Sequence, residues 1–408
     1  MRTRSDQLGS PRLLRVMNER LLLDHLLVRG PASRADLAKI TGLSKPTVSA
    51  ALAGMEDSGL VHLAGEVLGR PGPVTSLYDV TAGAAHIGAV DIGRDWIRVA
   101  VADLRGRFVG RKDGRNAAKN SEDLVSRVRE LAQAAAGQAG LPWTSVITAV
   151  VGSPGVYDKD ADRMIFAPNL PGWEGSGLGD RLRTALGVDV TIENDINLAA
   201  LGEHAYGAGH GIANFALVSI GTGVGMGIVV NGELYVGARG AAGEVSFLPA
   251  PEPVPADDDT LRHGLTESLA AAPGVVRAAR AAGLHLDTAK EVFTAAAEGD
   301  PAALEVVHAE GRRIGGLIVA VASVLDPELV VLTGGVGHNL ALLGDAITSR
   351  FAELGPLRPR VVASTLGDSG VLLGAVARAL SQAWDHIFDL RQSGVQPRQS
   401  GVQYGMSR

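Results

Sequence analysis

Ala38, Gly42 and Val48 fall at intervals of four and six, a spacing that admits few packings of residues 33–55. Two helices that cross closely need a small residue on the first, a turn residue tolerant of positive φ, and an apolar plug on the second. These three residues meet those needs in order. Ser33 reads as the N-cap of the first helix, with Asp36 three residues on in a near capping-box pattern, and Ser44 as the N-cap of the second. Burying Val48, Leu52 and Met55 leaves Lys45, Pro46, Thr47, Ser49 and Ala50 facing outward at the N-terminal end of the second helix. A preceding amphipathic helix follows from the three-to-four spacing of Leu13, Val16, Met17, Leu23, Leu26 and Leu27, and Gly30-Pro31 stops it.

This is the pattern of a helix-turn-helix, whose second helix enters the major groove by its N-terminal end. The candidate DNA-contacting residues are Ser44, Lys45, Pro46, Thr47 and Ser49. Lys45 and the helix N-terminus attract phosphate, while Thr47 and Ser49 read base edges. A three-helix protein-binding module with this face solvated is the plainer alternative. Residues 60–68 and 74–80 read as two strands around Gly69-Arg70-Pro71-Gly72-Pro73. Such a wing presents Arg70 to a narrow A·T-rich minor groove; an ordinary turn with a solvated Arg70 is the alternative.

Charge sharpens this reading. The net charge of −6 argues against a nucleic-acid partner, but residues 1–50 hold nine Lys or Arg against four Asp or Glu, and residues 83–408 hold 28 against 36. A basic head sits on an acidic body. With 408 residues, two or three domains are expected, and 46% hydrophobic residues exclude a disordered chain. The absence of Cys excludes disulfides, thiolate zinc sites and cysteine nucleophiles. The most apolar run, residues 314–325, is short of the roughly 20 residues that span a membrane, and the N-terminus has no secretory pattern. A cytoplasmic protein without a membrane partner is expected.

Beyond residue 83, β-branched runs alternate with Ala-rich stretches, an α/β pattern. Two strands meet at Asp91-Ile92-Gly93, and a second Gly-rich hairpin, Gly221-Thr222-Gly223-Val224-Gly225-Met226-Gly227, follows a strand at 216–220. Between them lie Gly152-Ser153-Pro154-Gly155, Asn169-Leu170-Pro171-Gly172-Trp173 and Glu193-Asn194-Asp195-Ile196-Asn197. Downstream come Gly243-Glu244, Glu267 and Thr333-Gly334-Gly335. In this order, over about residues 12–385, the motifs resemble the ROK family of repressors and sugar kinases. The head resembles that of the family's DNA-binding regulators. The resemblance implies a winged helix-turn-helix at 1–82 and an actin-like, hexokinase-type (ribonuclease H-like) body. That body would have two lobes, 83–195 with 366–385, and 196–365.

The resemblance also implies roles. Asp195 matches the family's general base, which takes a proton from a sugar hydroxyl. Asn194, Asp195, Glu244 and Glu267 match positions that hold sugar hydroxyls, and Asn169 matches a loop lining the same cleft. Asp91, Gly93, Gly221, Thr222, Gly223, Gly334 and Gly335 match the phosphate site. Asp195 and Asn197 also suit the capping of a helix that begins near Leu198.

Two departures matter. The family's kinases follow the first Asp with Gly-Gly-Thr, where this chain has Gly93-Arg94-Asp95. A side chain at 94 crowds the phosphate, and an anion at 95 repels it by about 4 kcal/mol at ~4 Å and an effective dielectric of ~20, which Arg94 offsets in part. Asp195 is then a vestigial base. The family's zinc site takes one His and three Cys; Phe247, Asp258, Thr260 and Leu265 stand in those positions, so no structural zinc or other cofactor is expected. The replaced His touches sugar, so Phe247 implies an altered or weaker effector. Residues 386–408 contain RQSGVQ twice and read as a disordered tail. Residues 249–260, PAPEPVPADDDT, read as a mobile acidic loop.

The combined expectation is a sugar-responsive regulator, most simply a repressor, that binds operator DNA as a homodimer, with pairing into a tetramer left open. Its body would bind a sugar or sugar-derived molecule without phosphorylating it. The rivals are an ATP-dependent sugar kinase that also binds DNA, and a ligand-independent regulator whose body only dimerises.

Overall fold

The computed structural model describes residues 11–67, 75–166, 172–173, 175–249 and 257–393. The expected wing tip with Arg70, Asn169, and residues 250–256 and 394–408 lie outside the described residues.

The head opens with the helix Pro11–Arg29, which buries Val16, Leu22, Leu23 and Leu26. Met17 was expected inside but is exposed, because the inner stripe runs through Glu19 instead. A carboxylate at a core position breaks the apolar spacing from which that face was read. The helix Arg34–Thr41 starts where Ser33 Oγ accepts the Asp36 N–H at 3.1 Å. It ends at Gly42, whose φ of +72° is the left-handed conformation that favours glycine. Ser44 then caps Lys45–Asp57, accepting the Thr47 N–H at 3.3 Å, and Val48, Leu52 and Met55 are fully buried. Strands Val61–Val67 and Thr75–Val80 pair antiparallel, and the two-residue strand Ala32–Ser33, too short for a sequence signal, completes their sheet.

The body contains two five-stranded sheets of the same design. In the first, strands His86–Ile92, Trp96–Asp103 and Phe108–Arg115 form an antiparallel meander. Val146–Ser153 and then Asp189–Asn194 add parallel to its first strand. In the second, Phe215–Ile220, Val224–Val230 and Glu233–Leu234 form the meander, and Leu329–Thr333 and Arg360–Ala363 add in parallel. The leading hairpin of each sheet is therefore a glycine-bearing turn. The inner parallel strands, Val146–Ser153 and Leu329–Thr333, are buried runs rich in β-branched residues, as sheets covered on both faces require, whereas the outer strands Asp189–Asn194 and Arg360–Ala363 are only partly buried.

Two helices join these parts. Asp195–Tyr206 leaves the end of the first sheet, and Gly370–Ser393 packs along it. The contact is made at backbone distance: a Cβ on Gly374 would lie 1.7 Å from the Leu198 carbonyl oxygen, and one on Gly202 would lie 2.4 Å from that of Gly370. The helix Gly370–Ser393 continues past residue 385, where the disordered tail was expected to begin. Ile387 and Phe388 are buried in one core with Leu22, Leu23 and Leu26 of the head. The repeat that suggested disorder begins only at Arg391, and most of it lies outside the described residues. The end of the acidic stretch expected as a loop at 249–260 is instead helical, because Asp257 caps a helix, Asp258–His263, by accepting the Thr260 N–H.

The last turn of Gly370–Ser393 holds the head. Arg391 forks onto Glu19, with Nε to Oε2 at 2.8 Å and Nη2 to Oε1 at 2.9 Å, and also donates to Ser58 Oγ and the Gly54 carbonyl. Glu19 is 1% exposed and Arg391 12%, so this pair is shielded from water. Arg105 of the first lobe bonds Asp79 of the head sheet. Removing one partner of a buried pair leaves an uncompensated charge. Arg391→Met should therefore lower the unfolding free energy by about 3 kcal/mol, with Arg15 retaining some contact to Glu19. Combining it with Glu19→Met should recover most of that loss in urea denaturation.

Candidate functional site

The two glycine-bearing hairpins face a common cleft of about 430 Å³. Asp91, Gly93 and Arg94 line it from the first sheet; Gly221, Thr222, Gly223, Gly334 and Gly335 line it from the second. The Gly93 N–H donates to the Trp96 carbonyl at 2.8 Å, and that of Gly221 to the Gly223 carbonyl at 2.9 Å, so each turn is closed by its own backbone.

Asn194 and Asp195 form the floor. The helix expected near Leu198 begins at Asp195, three residues earlier, and its cap is Asn194. Asn194 Oδ1 accepts the Ile196 and Asn197 N–H groups, and its Nδ2 donates to the Gly155 carbonyl at 3.0 Å. The sequence motif thus builds the floor before it touches any ligand. Asn197 is buried and donates to Glu193, away from the cap position expected for it. Asp195 accepts the Ile196 N–H at 2.9 Å. Burial, followed by the negative charge of Asp91, pushes its carboxyl up to about 7.

The opposite wall carries Glu244 and Glu267. Burial, and then the charge of Glu267, raises the Glu244 carboxyl above its ordinary value. One oxygen of Glu267 accepts the Val224 N–H at 2.9 Å, so this side chain also braces the second glycine hairpin. Asp195, Glu244 and Glu267 thereby place three acceptors around one space, a set suited to hydroxyl donors.

Arg98 was not singled out from the sequence, yet it shapes the phosphate side. Register places it opposite Asp91 across the hairpin, and its Nη1 lies 3.0 Å from Asp91 Oδ2. Its guanidinium also approaches Asp368 at 3.6 Å and Asp113 at 4.0 Å. Burial pushes the Asp91 carboxyl up to about 6, with Arg98 opposing that rise. The available signal was a lone charge within an apolar strand, counted back from the turn. Phe166 and Arg262, absent from the sequence reading, also line the cleft, as does His263, which read from the sequence as solvated or structural.

The positions aligned with the family's zinc ligands do not fit that ion. Phe247 packs on Phe166, Thr260 is buried, and Leu265 brings only an alkyl group. Among the described residues no group of three or more His, Asp or Glu is placed to hold a metal, and no helix is long and apolar enough to cross a membrane.

On the head, Lys45 and Pro46 are exposed and Ser49 is half-buried at the start of Lys45–Asp57. The hydroxyls of Ser44 and Thr47 lie 2.8 Å apart, so both residues belong to the cap as well as to the outward face.

Residues 87–382 match the ROK family, and residues 17–69 match the MarR family. The xylose repressor of Bacillus subtilis (strain 168) is 26% identical over 387 residues, which cover 92% of this chain and 96% of that protein. The glucokinase of Halalkalibacterium halodurans is 36% identical over 245 residues, 55% of this chain and 73% of that protein. A solved ROK family transcriptional regulator, a homolog of the E. coli MLC protein, shares the fold with a TM-score of 0.76. It covers 94% of this chain and 100% of its own, at 22% identity.

The raised Asp195 carboxyl has a consequence for stability. The folded chain holds this proton to about pH 7, whereas the unfolded chain releases it near its ordinary value of 3.8. Its contribution is therefore full in acid and is lost as pH rises from about 4 to 7. Asp195→Asn, which keeps the acceptor for Ile196, should raise the thermal midpoint of the unliganded protein by a few degrees at pH 8. The gain should shrink steadily toward pH 5.

Proposed function

The chain belongs to the ROK family with a MarR-type winged helix at its N-terminus, and from that premise we propose that it is a sugar-responsive transcriptional repressor whose kinase-like body senses without catalysing. The observation that carries this reading is the pair of helices joining cleft to head. Asn194 and Asp195 open the helix Asp195–Tyr206; that helix lies at backbone distance from Gly370–Ser393; and the last turn of the latter clamps Glu19. A ligand that prefers one lobe angle must also prefer one placement of the head, so it shifts the DNA-competent population. A homodimer would set two recognition helices on half-sites a helical turn apart, which one short helix alone needs for useful affinity.

The loss of phosphotransfer is supported by Arg98 and Arg94. Arg98 already neutralises Asp91, and the Arg94 side chain lines the cleft where the family's kinases carry glycine, while Asp95 is exposed at the same turn and is not among the cleft-lining residues. Asn194, Asp195, Glu244 and Glu267 would take the sugar hydroxyls. A second reading, an active sugar kinase that binds DNA, is favoured by the Asp195 carboxyl near 7, a value suited to a general base at neutral pH.

Three measurements separate these readings. Operator DNA should change the affinity for a bound sugar by the same factor that the sugar changes operator affinity; an unchanged sugar affinity overturns the coupling. Lys45→Ala should weaken binding to all sequences alike and reduce the slope of log affinity against log salt by about 1, whereas Ser49→Ala should relax preference at particular bases. Incubation with ATP, magnesium and hexoses should release no ADP above background; turnover abolished by Asp195→Asn would establish the kinase.

A further inference from the structure

The cleft has a rim that hydroxyl recognition does not explain. Of the seven phenylalanines, all within the described residues, two are exposed: Phe166 at 50% and Phe247 at 44%. These two touch each other across the cleft, ring centroids 5.7 Å apart and planes tilted by 57°. Phe166 comes from the first lobe, immediately after the strand Arg163–Ile165; Phe247 comes from the second, three residues after Glu244. Both line the same cavity as Asp195 and Glu244.

Neither ring is placed by burial of its own. Phe166 has a φ of +58°, a left-handed conformation that a bulky side chain adopts only where its surroundings over-determine it, and such strain gathers at binding sites. The backbone under Phe247 rests on Gly264. At its φ of +95° a Cβ there would lie 2.3 Å from the Ser246 carbonyl oxygen and 3.0 Å from the Phe247 nitrogen. Two separate backbone devices thus hold two exposed aromatic rings together at the mouth of a polar site.

We propose that the cleft takes a glycoside with an apolar, aromatic aglycone in preference to a free monosaccharide, a specificity that rests on the sugar-binding reading above. Asp195, Glu244 and Glu267 accept hydrogen bonds from hydroxyls at one end. Phe166 and Phe247 offer neither donor nor acceptor side-chain groups at the other, so a hydroxyl turned toward them loses its water partners without replacement. An apolar ring in that place removes the two exposed faces from water and packs edge-to-face or offset against them. A molecule polar at one end and aromatic at the other matches both halves of the site.

Calorimetric titration with matched pairs tests this: D-glucose and D-xylose against their phenyl α- and β-glycosides. For at least one sugar, a phenyl glycoside should bind tenfold or more tightly than the free sugar. Phe166→Ala and Phe247→Ala should each bring that ratio toward one while operator binding and the thermal midpoint stay unchanged. Phe247→His should narrow the ratio by strengthening free-sugar binding. Equal affinities within every pair, or a ratio indifferent to both alanine variants, overturn the glycoside preference and leave the sugar reading standing. Heat from none of the panel, with a folded protein that still binds operator, overturns the sugar reading and this inference with it.

Discussion

Gly202 and Gly374 bring the helices Asp195–Tyr206 and Gly370–Ser393 so close that main chain meets main chain, with no room for a methyl group at either position. Close-packed interiors transmit displacement because they have no slack to absorb it. One end of this pair is the floor of the cleft, and the other is the Arg391–Glu19 contact that seats the head. The cleft and the recognition helix consequently share a rigid mount. A larger residue at position 374 would separate the helices, move Asp195 off its floor position and lift Arg391 from Glu19 together.

The chemistry of the cleft follows from charges placed on that mount. Asp91, Asp195, Glu244 and Glu267 crowd one space, and burial raises the carboxyls of the first three. Arg98 lies on the Asp91 side, and the acceptors on the other side face the cavity. The two halves differ in what they can receive. The half with Arg98 has its carboxylate already paired, whereas the half with Asp195 and Glu244 retains oxygen acceptors for hydroxyls.

Much of this was legible in sequence, where local rules act alone. The caps Ser33 and Ser44, the left-handed Gly42 and the buried Val48, Leu52 and Met55 depend on residues within a turn of one another, and each stands where spacing placed it. The glycine hairpins and the order of motifs marked the two lobes and most of the cleft wall. Met17, the helix start at Asp195 and the start of the tail after residue 385 were misplaced. Two are set by distant partners: Glu19 takes the inner face because Arg391 arrives from the other end of the chain, and Gly370–Ser393 extends because the head covers it, whereas the start at Asp195 is set locally by the Asn194 cap.

The amino-acid order by itself determined the kind of head, the two-sheet body and the residue types available to a ligand, since these follow from periodicity, capping and turn chemistry over a few residues. Only the tertiary structure decided that Arg98 pairs with Asp91, that Phe166 meets Phe247, and that one helix pair carries both cleft and head. Those outcomes depend on through-space approach between segments far apart in the chain, or on the face of a strand turned toward the cleft. Hydrophobic pattern does not encode such distances, because many packings satisfy the same pattern and only close contact selects among them.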